Sequence, residues 1–285
     1  MAAIVWLYFW FVMKDIKQHR EEFDQLGKLY PQEASVEVEQ AFINGVNTYW
    51  FTPENLVENK FIIWLHGGVY ALGSVRSHGA MVSHVAKKLK TKVLFVDYAL
   101  APEHPYPAAN NDVLAVYTTL LKEYPSHKIG FIGDSAGGGM IVSAINSIIN
   151  QQLPLPYAVA MISPWIDLNA GNPSYESNKQ KDPILNRELI KNATKDYLAG
   201  ASIETANPDD IVLNAFPPVL ITVGTNEVLE DDSRNFYNVV QKLQPKSTLT
   251  IYENQLHVWP LTNITSEASQ KLLDELNTFF AIEKV

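Results

Sequence analysis

The sequence predicts an α/β fold in which a mostly parallel central sheet is covered on both faces by helices. Short apolar segments such as KVLFVDY and PVLITVG alternate with segments whose apolar residues recur at helical spacing. Continuous apolar strands of this length are typical of parallel sheets that are buried on both faces. The chain has 285 residues, of which 47% are hydrophobic and 19% charged, so it can bury such a core in one domain spanning 1–285.

The elements follow one another in a regular order, with one interruption. Residues 1 to about 30 are predicted to be helical, and Asn44-Gly45 predicts the turn of an antiparallel hairpin. Predicted strands and helices then alternate to the C-terminus. The polar, helix-forming stretch at about 168–217 interrupts this alternation. We interpret it, together with residues 1–35, as a helical cap over the site.

The N-terminal run AAIVWLYFWFVM is apolar but too short to span a bilayer as a helix. It has no preceding positive charge and no small-residue cleavage site, so it does not fit a signal peptide. We expect a buried or amphipathic helix, no stable membrane span and a cytoplasmic protein. A shallow peripheral membrane contact is the alternative, since Trp and Tyr favour membrane interfaces.

Charge and cysteine content exclude several classes of function. The formal net charge is −9, which disfavours partners that bind through negative charge, such as nucleic acids and anionic membranes. The absence of cysteine excludes a disulfide, a thiolate metal site and a cysteine nucleophile. The sequence leaves both a monomer and a homodimer open.

The stretch FIGDSAGGGM places Ser135 at a turn from a predicted strand to a predicted helix. It lacks the Lys-Ser/Thr pair of a Walker loop, and its adjacent glycines do not fit the dinucleotide-binding pattern. It does fit G-x-S-x-G, whose small residues permit a strained turn that exposes a nucleophilic serine. A serine that caps the helix is the alternative interpretation.

A serine nucleophile requires N–H donors for the oxyanion that forms during attack. The loop His66-Gly67-Gly68-Val69 ends another predicted strand, where glycines let a backbone approach a substrate closely. The N–H of Ala136, which directly follows the serine, is the second expected donor. By itself, the glycine pair is equally compatible with a plain tight turn.

The base and the acid are sought after the later strands. Of the seven histidines, His257 lies just past the last predicted strand, where chemistry gathers in sheets of this type. The remaining histidines lie in segments that favour exposed, structural or helix-flanking positions: His19, His127, His66, His104, His78 and His84. The segment ITVGTNEVLEDDS offers four carboxylates, most of which would simply begin a helix: Glu227, Glu230, Asp231 and Asp232.

The motifs occur together in the order HGG, DYALAPEHPYPAA, GDSAGGG, SPWIDL, FPPVLITVGTNEVLEDD and NQLHVW. In this series the chain resembles the hormone-sensitive-lipase family of α/β-hydrolases, bacterial carboxylesterases especially, from about Lys60 onward. The resemblance implies the α/β-hydrolase fold with a helical cap. It also implies the following roles: Ser135 as nucleophile, His257 as base, and Gly67, Gly68, Val69 and Ala136 as the oxyanion hole.

Two residues depart from the family pattern. Val69 replaces the third glycine of the usual HGGG loop, which keeps an N–H but adds a side chain. Glu227 aligns with the usual aspartate of the triad, while Asp231 remains the competing acid. The expected activity is hydrolysis of small, short-acyl esters without a cofactor or metal. A ligand-binding pseudo-hydrolase and an amidase or peptidase with the same triad are the alternatives.

Overall fold

The structure is a computed structural model, and it describes residues 15–57 and 60–282. The predicted N-terminal helix or membrane contact at residues 2–13 lies outside the described residues. In the part of the chain that is described, no helix has the length and apolar character needed to cross a membrane.

The described strands form one eight-stranded sheet in the order β1-β2-β4-β3-β5-β6-β7-β8. Their bounds are β1 Val36–Ile43, β2 Val46–Pro53, β3 Phe61–Leu65, β4 Lys92–Asp97, β5 Ile129–Asp134, β6 Val159–Ile162, β7 Val219–Gly224 and β8 Thr248–Tyr252. The first two strands form an antiparallel hairpin, and β2 also pairs antiparallel with β4. All the other neighbours are parallel, so the predicted mostly parallel sheet is confirmed. The hairpin turns at Asn44 and Gly45, both with positive φ, as the sequence predicts.

Helices cover both faces of the sheet. Those described are α1 Ile16–Phe23, α2 Val75–Leu89, α3 Ala108–Leu120, α4 Ala136–Asn150, α5 Ser174–Ser177, α6 Arg187–Leu198, α7 Ile203–Ala206, α8 Glu230–Leu243, α9 Trp259–Thr262 and α10 Glu267–Ile282. Apolar residues of α2 and α10 form one buried cluster with the sheet, and those of α3, α4 and α8 form another. Strand β3 contributes Ile63 to one cluster and Ile62 to the other, as expected for side chains that alternate between faces.

Helix α4 lies unusually close to the backbone of its neighbours. A Cβ on Gly137 would stand 1.9 Å from the carbonyl oxygen of Leu65, at the end of β3. A Cβ on Gly139 would stand 2.3 Å from the carbonyl oxygen of Trp165, in the loop after β6. Only glycine allows this approach, which fixes the N-terminus of α4 between the ends of two strands.

The segment at 168–217 contains the α-helices α5, α6 and α7, as its polar, helix-forming composition predicts. It contacts the loop after β7 at several points. The side-chain amide of Asn178 donates to the carbonyl oxygen of Glu227 (2.9 Å), and Asp182 accepts the N–H of Val228 (2.9 Å). Its role as a cap over the site stays a prediction.

Helix α1 is attached to the loops that follow β3 and β4. The guanidinium of Arg20 forms a bidentate pair with Glu103 at 2.7 Å and donates to the carbonyl oxygens of Ala71 (2.8 Å) and Ala101 (2.9 Å). One side chain therefore connects α1 to the loops that follow β3 and β4. Bidentate charge-assisted bonds of this kind also restrict the relative orientation of the segments they join.

Candidate active site

Ser135 occupies the single residue between β5, which ends at Asp134, and α4, which begins at Ala136. Its φ of 51° and ψ of −120° are unusual for a residue with a side chain, and such strain concentrates at functional sites. Backbone bonds to Ile162 and Trp165, both 2.9 Å, hold the turn in place. The capping alternative is not observed, because the Ser135 side chain makes no hydrogen bond to the backbone of α4.

His257 contacts both Ser135 and an acidic side chain. Its Nε2 lies 2.8 Å from Oγ of Ser135, and its Nδ1 lies 2.8 Å from Oε2 of Glu227. A carboxylate can only accept at this site, so Nδ1 carries a proton and Nε2 of the neutral ring is left to accept one. This is the arrangement in which an imidazole removes a proton from a serine hydroxyl.

The structure separates the four carboxylates that the sequence offered as acids. Glu227 is fully buried and is the one bonded to His257. Glu230 forms an ion pair with Arg234, and Asp231 lies in the first turn of α8 and accepts the N–H of Ser174 at 2.8 Å. The fourth carboxylate, Asp232, is also buried and accepts two backbone N–H groups of the loop after β6.

The surroundings of His257 favour its protonated form. Burial by itself lowers the pKa of His257, but the hydrogen bond and the negative charge of Glu227, together with other nearby carboxylates, raise it. The more distant charges of Asp182 and Asp134 act in the same direction. The pKa of His257 therefore lies above its ordinary value.

The loop predicted to supply oxyanion donors lies directly against the serine turn. Gly68 and Val69 have φ values of 117° and 52°, and the latter is strained because Val is β-branched. The N–H of Gly67 donates to Oδ2 of Asp134 (3.0 Å), so this group is occupied and is not free to bind an oxyanion. Ala136 is the first residue of α4, where backbone N–H groups lack partners within the helix.

A buried polar cluster beneath Ser135 was not anticipated from the sequence. The carboxylate of Asp134 accepts from Trp64 Nε1 (3.1 Å) and Gly67 N–H (3.0 Å) and lies 3.3 Å from Nε2 of His78. Asp134 is 1% exposed, and His66 lies beside it, where burial lowers the pKa of His66 to about 3 and keeps the ring neutral. The sequence contains the HGG and GDS motifs that form this cluster, but no local sequence pattern indicates that the two motifs are in contact.

The histidines outside the site follow expectation only in part, since His78 and His84, expected beside a helix, lie within α2. His127 is exposed as predicted, whereas His19, also expected to be exposed, is 6% exposed. In residues 15–57 and 60–282, no group of three or more His, Cys, Asp or Glu side chains is arranged to hold a metal ion.

Comparison with known proteins links this geometry to one group. A protein-family model described as "alpha/beta hydrolase fold" matches residues 62–261. An esterase of Acinetobacter venetianus is 31% identical over 263 residues, which make up 90% of this chain and 86% of that protein. An acetyl-hydrolase of Streptomyces hygroscopicus is 35% identical over 213 residues, 74% of this chain and 71% of the relative.

A solved structure extends the similarity to the whole described fold. The crystal structure of an esterase from the bacterial hormone-sensitive lipase (HSL) family superposes with a TM-score of 0.94. The two chains are 30% identical, and the match covers 100% of this chain and 96% of the other. The relatives and the solved structure are all named as hydrolases, and the similarity extends over most of each chain.

Proposed function

Since the chain belongs to the hormone-sensitive-lipase family of α/β-hydrolases and is a carboxylic ester hydrolase, we propose that it hydrolyses small, short-acyl esters through a covalent acyl-serine. The roles that we propose are Ser135 as nucleophile, His257 as general base and acid, and Glu227 as the carboxylate that orients the imidazole. The oxyanion is bound by the N–H groups of Gly68, Val69 and Ala136. Gly67 supports this loop through its bond to Asp134.

The first half of the reaction forms the acyl-enzyme. Nε2 of His257 takes the hydroxyl proton of Ser135 as Oγ attacks the ester carbonyl, and the carbonyl oxygen gains the negative charge. Glu227 remains ionised and stabilises the imidazolium. As the tetrahedral intermediate collapses, the C–O bond to the alcohol breaks and the imidazolium protonates the leaving oxygen.

The second half hydrolyses the acyl-enzyme with the same groups. His257, neutral again, removes a proton from water, and the resulting hydroxide oxygen attacks the acyl carbonyl. The oxyanion again forms beside the same N–H donors. Collapse releases the carboxylic acid, and the proton on the imidazolium returns to Oγ of Ser135.

The single observation that carries the proposal is the continuous chain of hydrogen bonds from Ser135 through His257 to Glu227, each 2.8 Å long. It joins residues that are 122 and 30 positions apart in the sequence. A receptor-like pseudo-hydrolase that has lost its base would lack this chain. An amidase would share it, so substrate profiling distinguishes the two hydrolases.

We expect activity to depend on the protonation of His257. Since the base must be neutral and its pKa is raised, kcat/KM should be low at acidic pH and rise with pH. The midpoint of this rise should lie above the roughly 6.5 of an unperturbed histidine. Initial rates at low substrate concentration across pH 5 to 9 measure it, and a flat profile would contradict a histidine base.

Val69 is expected to restrict the acyl chain. In a series of p-nitrophenyl esters, acetate to butyrate should be hydrolysed faster than esters of ten or more acyl carbons, a preference also suggested by the acetyl-hydrolase relative. Val69→Gly removes the side chain and also tolerates the φ of 52°. The ratio of decanoate to butyrate activity should then rise on the order of tenfold.

Val69→Ala is the matched control for this series, because it removes the two methyl groups but keeps the Cβ and the backbone strain. A ratio between those of the wild type and Val69→Gly indicates that side-chain volume matters. If Val69→Gly leaves the chain-length profile unchanged, Val69 does not set the preference.

A further inference from the structure

We propose that Ser163 is a positioning residue that sets the orientation of the Glu227 carboxylate and ties it to the loop carrying His257. This inference rests on the proposed triad. Ser163 follows β6 directly and lies in the SPW stretch of the sequence. Among the described residues, two side chains form hydrogen bonds to the Glu227 carboxylate: His257 and the hydroxyl of Ser163.

The two oxygens of Glu227 have separate partners. Oε1 accepts the hydroxyl of Ser163 at 2.7 Å and the N–H of Gly224 at 2.6 Å. Oε2 is 2.8 Å from Nδ1 of His257. Because one oxygen is held by two donors, the carboxylate cannot rotate without breaking both bonds. Oε2 is thereby kept in line with the imidazole.

Ser163 also contacts the residue that follows the base. Its Oγ accepts the backbone N–H of Val258 at 3.2 Å, while its own proton goes to Glu227. Val258 has a φ of 45°, so the chain turns sharply just after His257. One hydroxyl thus holds the acid from one side and the backbone of the base loop from the other.

The position of Ser163 is itself well determined. It is fully buried, its φ is 50°, and its N–H donates to the carbonyl oxygen of Thr222 at 2.7 Å. Because its backbone is held between β6 and β7, the Ser163 side chain has a fixed position from which it can orient its neighbours. The loops after β6, β7 and β8 therefore meet at a single oxygen atom.

A residue that acts through Glu227 should affect turnover more than binding. Ser163→Ala should lower kcat by about tenfold to a hundredfold, the scale seen when a residue that orients a metal ligand is removed, with KM little changed. Ser163→Cys should behave similarly, because a thiol is slightly larger than a hydroxyl and leaves no cavity but is a weak donor. Steady-state kinetics on p-nitrophenyl butyrate measure both, and the cysteine variant avoids the cavity that alanine leaves.

Ser83→Ala is the matched control for a purely structural effect. Ser83 is also fully buried, donates to the carbonyl oxygen of Ala80 (2.7 Å) and accepts the N–H of Glu33 (3.0 Å), and it makes no hydrogen bond to the triad. Like Ser163→Ala, Ser83→Ala should lower the free energy of unfolding, but it should leave kcat unchanged. Equal kcat losses in Ser163→Ala and Ser83→Ala would overturn the inference.

A double-mutant cycle with Glu227→Gln tests whether Ser163 acts through the acid. In the Glu227→Gln background, Ser163→Ala should lower kcat by less than threefold, because the group it positions is already neutralised. Full additivity would overturn the inference. If Glu227→Gln keeps full activity, the proposed acid fails and the inference with it. If Glu227→Gln is crippled while Ser163→Ala and Ser163→Cys are fully active, the inference fails and the proposed function stands.

Discussion

Replacing Ser135 with alanine should lower kcat on ester substrates by on the order of 10⁶, since losing the nucleophile of a serine hydrolase triad has about this effect. The fold should survive, because the change removes one hydroxyl whose hydrogen bond is to His257. Kinetics of the purified protein on p-nitrophenyl butyrate measure kcat, and circular dichroism measures whether the fold is retained. An organophosphonate should label the wild type at one site per chain and leave the variant unlabelled.

Ser143 supplies a control on the same helix. It is buried in α4, and no hydrogen bond joins it to His257 or Glu227. Ser143→Ala should retain activity and phosphonate labelling. A Ser135→Ala protein that stays largely active would move the nucleophile to another residue and remove the basis of the acyl-enzyme.

Neutralising Glu227 without changing its shape should be the second largest loss. Glu227→Gln is expected to lower kcat by roughly 10⁴, because an amide cannot hold the imidazole in the required tautomer or stabilise the imidazolium. Glu227→Asp should retain partial activity, since the charge remains but the side chain is one methylene shorter. kcat at the pH optimum of each variant, measured on properly folded protein, gives the ranking.

Asp231→Asn is the control for this experiment. Asp231 accepts the N–H of Ser174 in the first turn of α8, and asparagine keeps an acceptor there. Its loss should stay within about tenfold, or ~1.4 kcal/mol in the barrier. The opposite ranking, with Asp231→Asn crippled and Glu227→Gln active, would make Asp231 the acid.

The sequence predicts those features that depend on local pattern. Apolar runs of strand length locate the sheet, Asn44-Gly45 locates the hairpin, and the glycines around Ser135 predict the turn that the structure contains. The order of motifs and the resemblance they carry are enough to select His257. Choosing Glu227 over three neighbouring carboxylates also depends on the resemblance.

The contacts that support the site could not be predicted because they join distant segments. Ser163 and Glu227 are 64 positions apart, and Gly67 and Asp134 are 67 apart. Each pair meets only because parallel strands end at one edge of the sheet. Short serine and aspartate side chains occur everywhere in loops, so their sequence gives no indication of which ones become buried at this edge.

The close approach of α4 to its neighbours has a practical meaning for protein engineering. In GDSAGGG, one residue is proposed to perform chemistry, whereas Gly137 and Gly139 are required by the carbonyl oxygens of Leu65 and Trp165. In a library of variants screened only for activity, substitutions at the serine and at the two glycines would be equally inactive. The glycines would then be wrongly identified as catalytic. Diversity aimed at new substrates is better placed at Val69, with the glycine run kept constant.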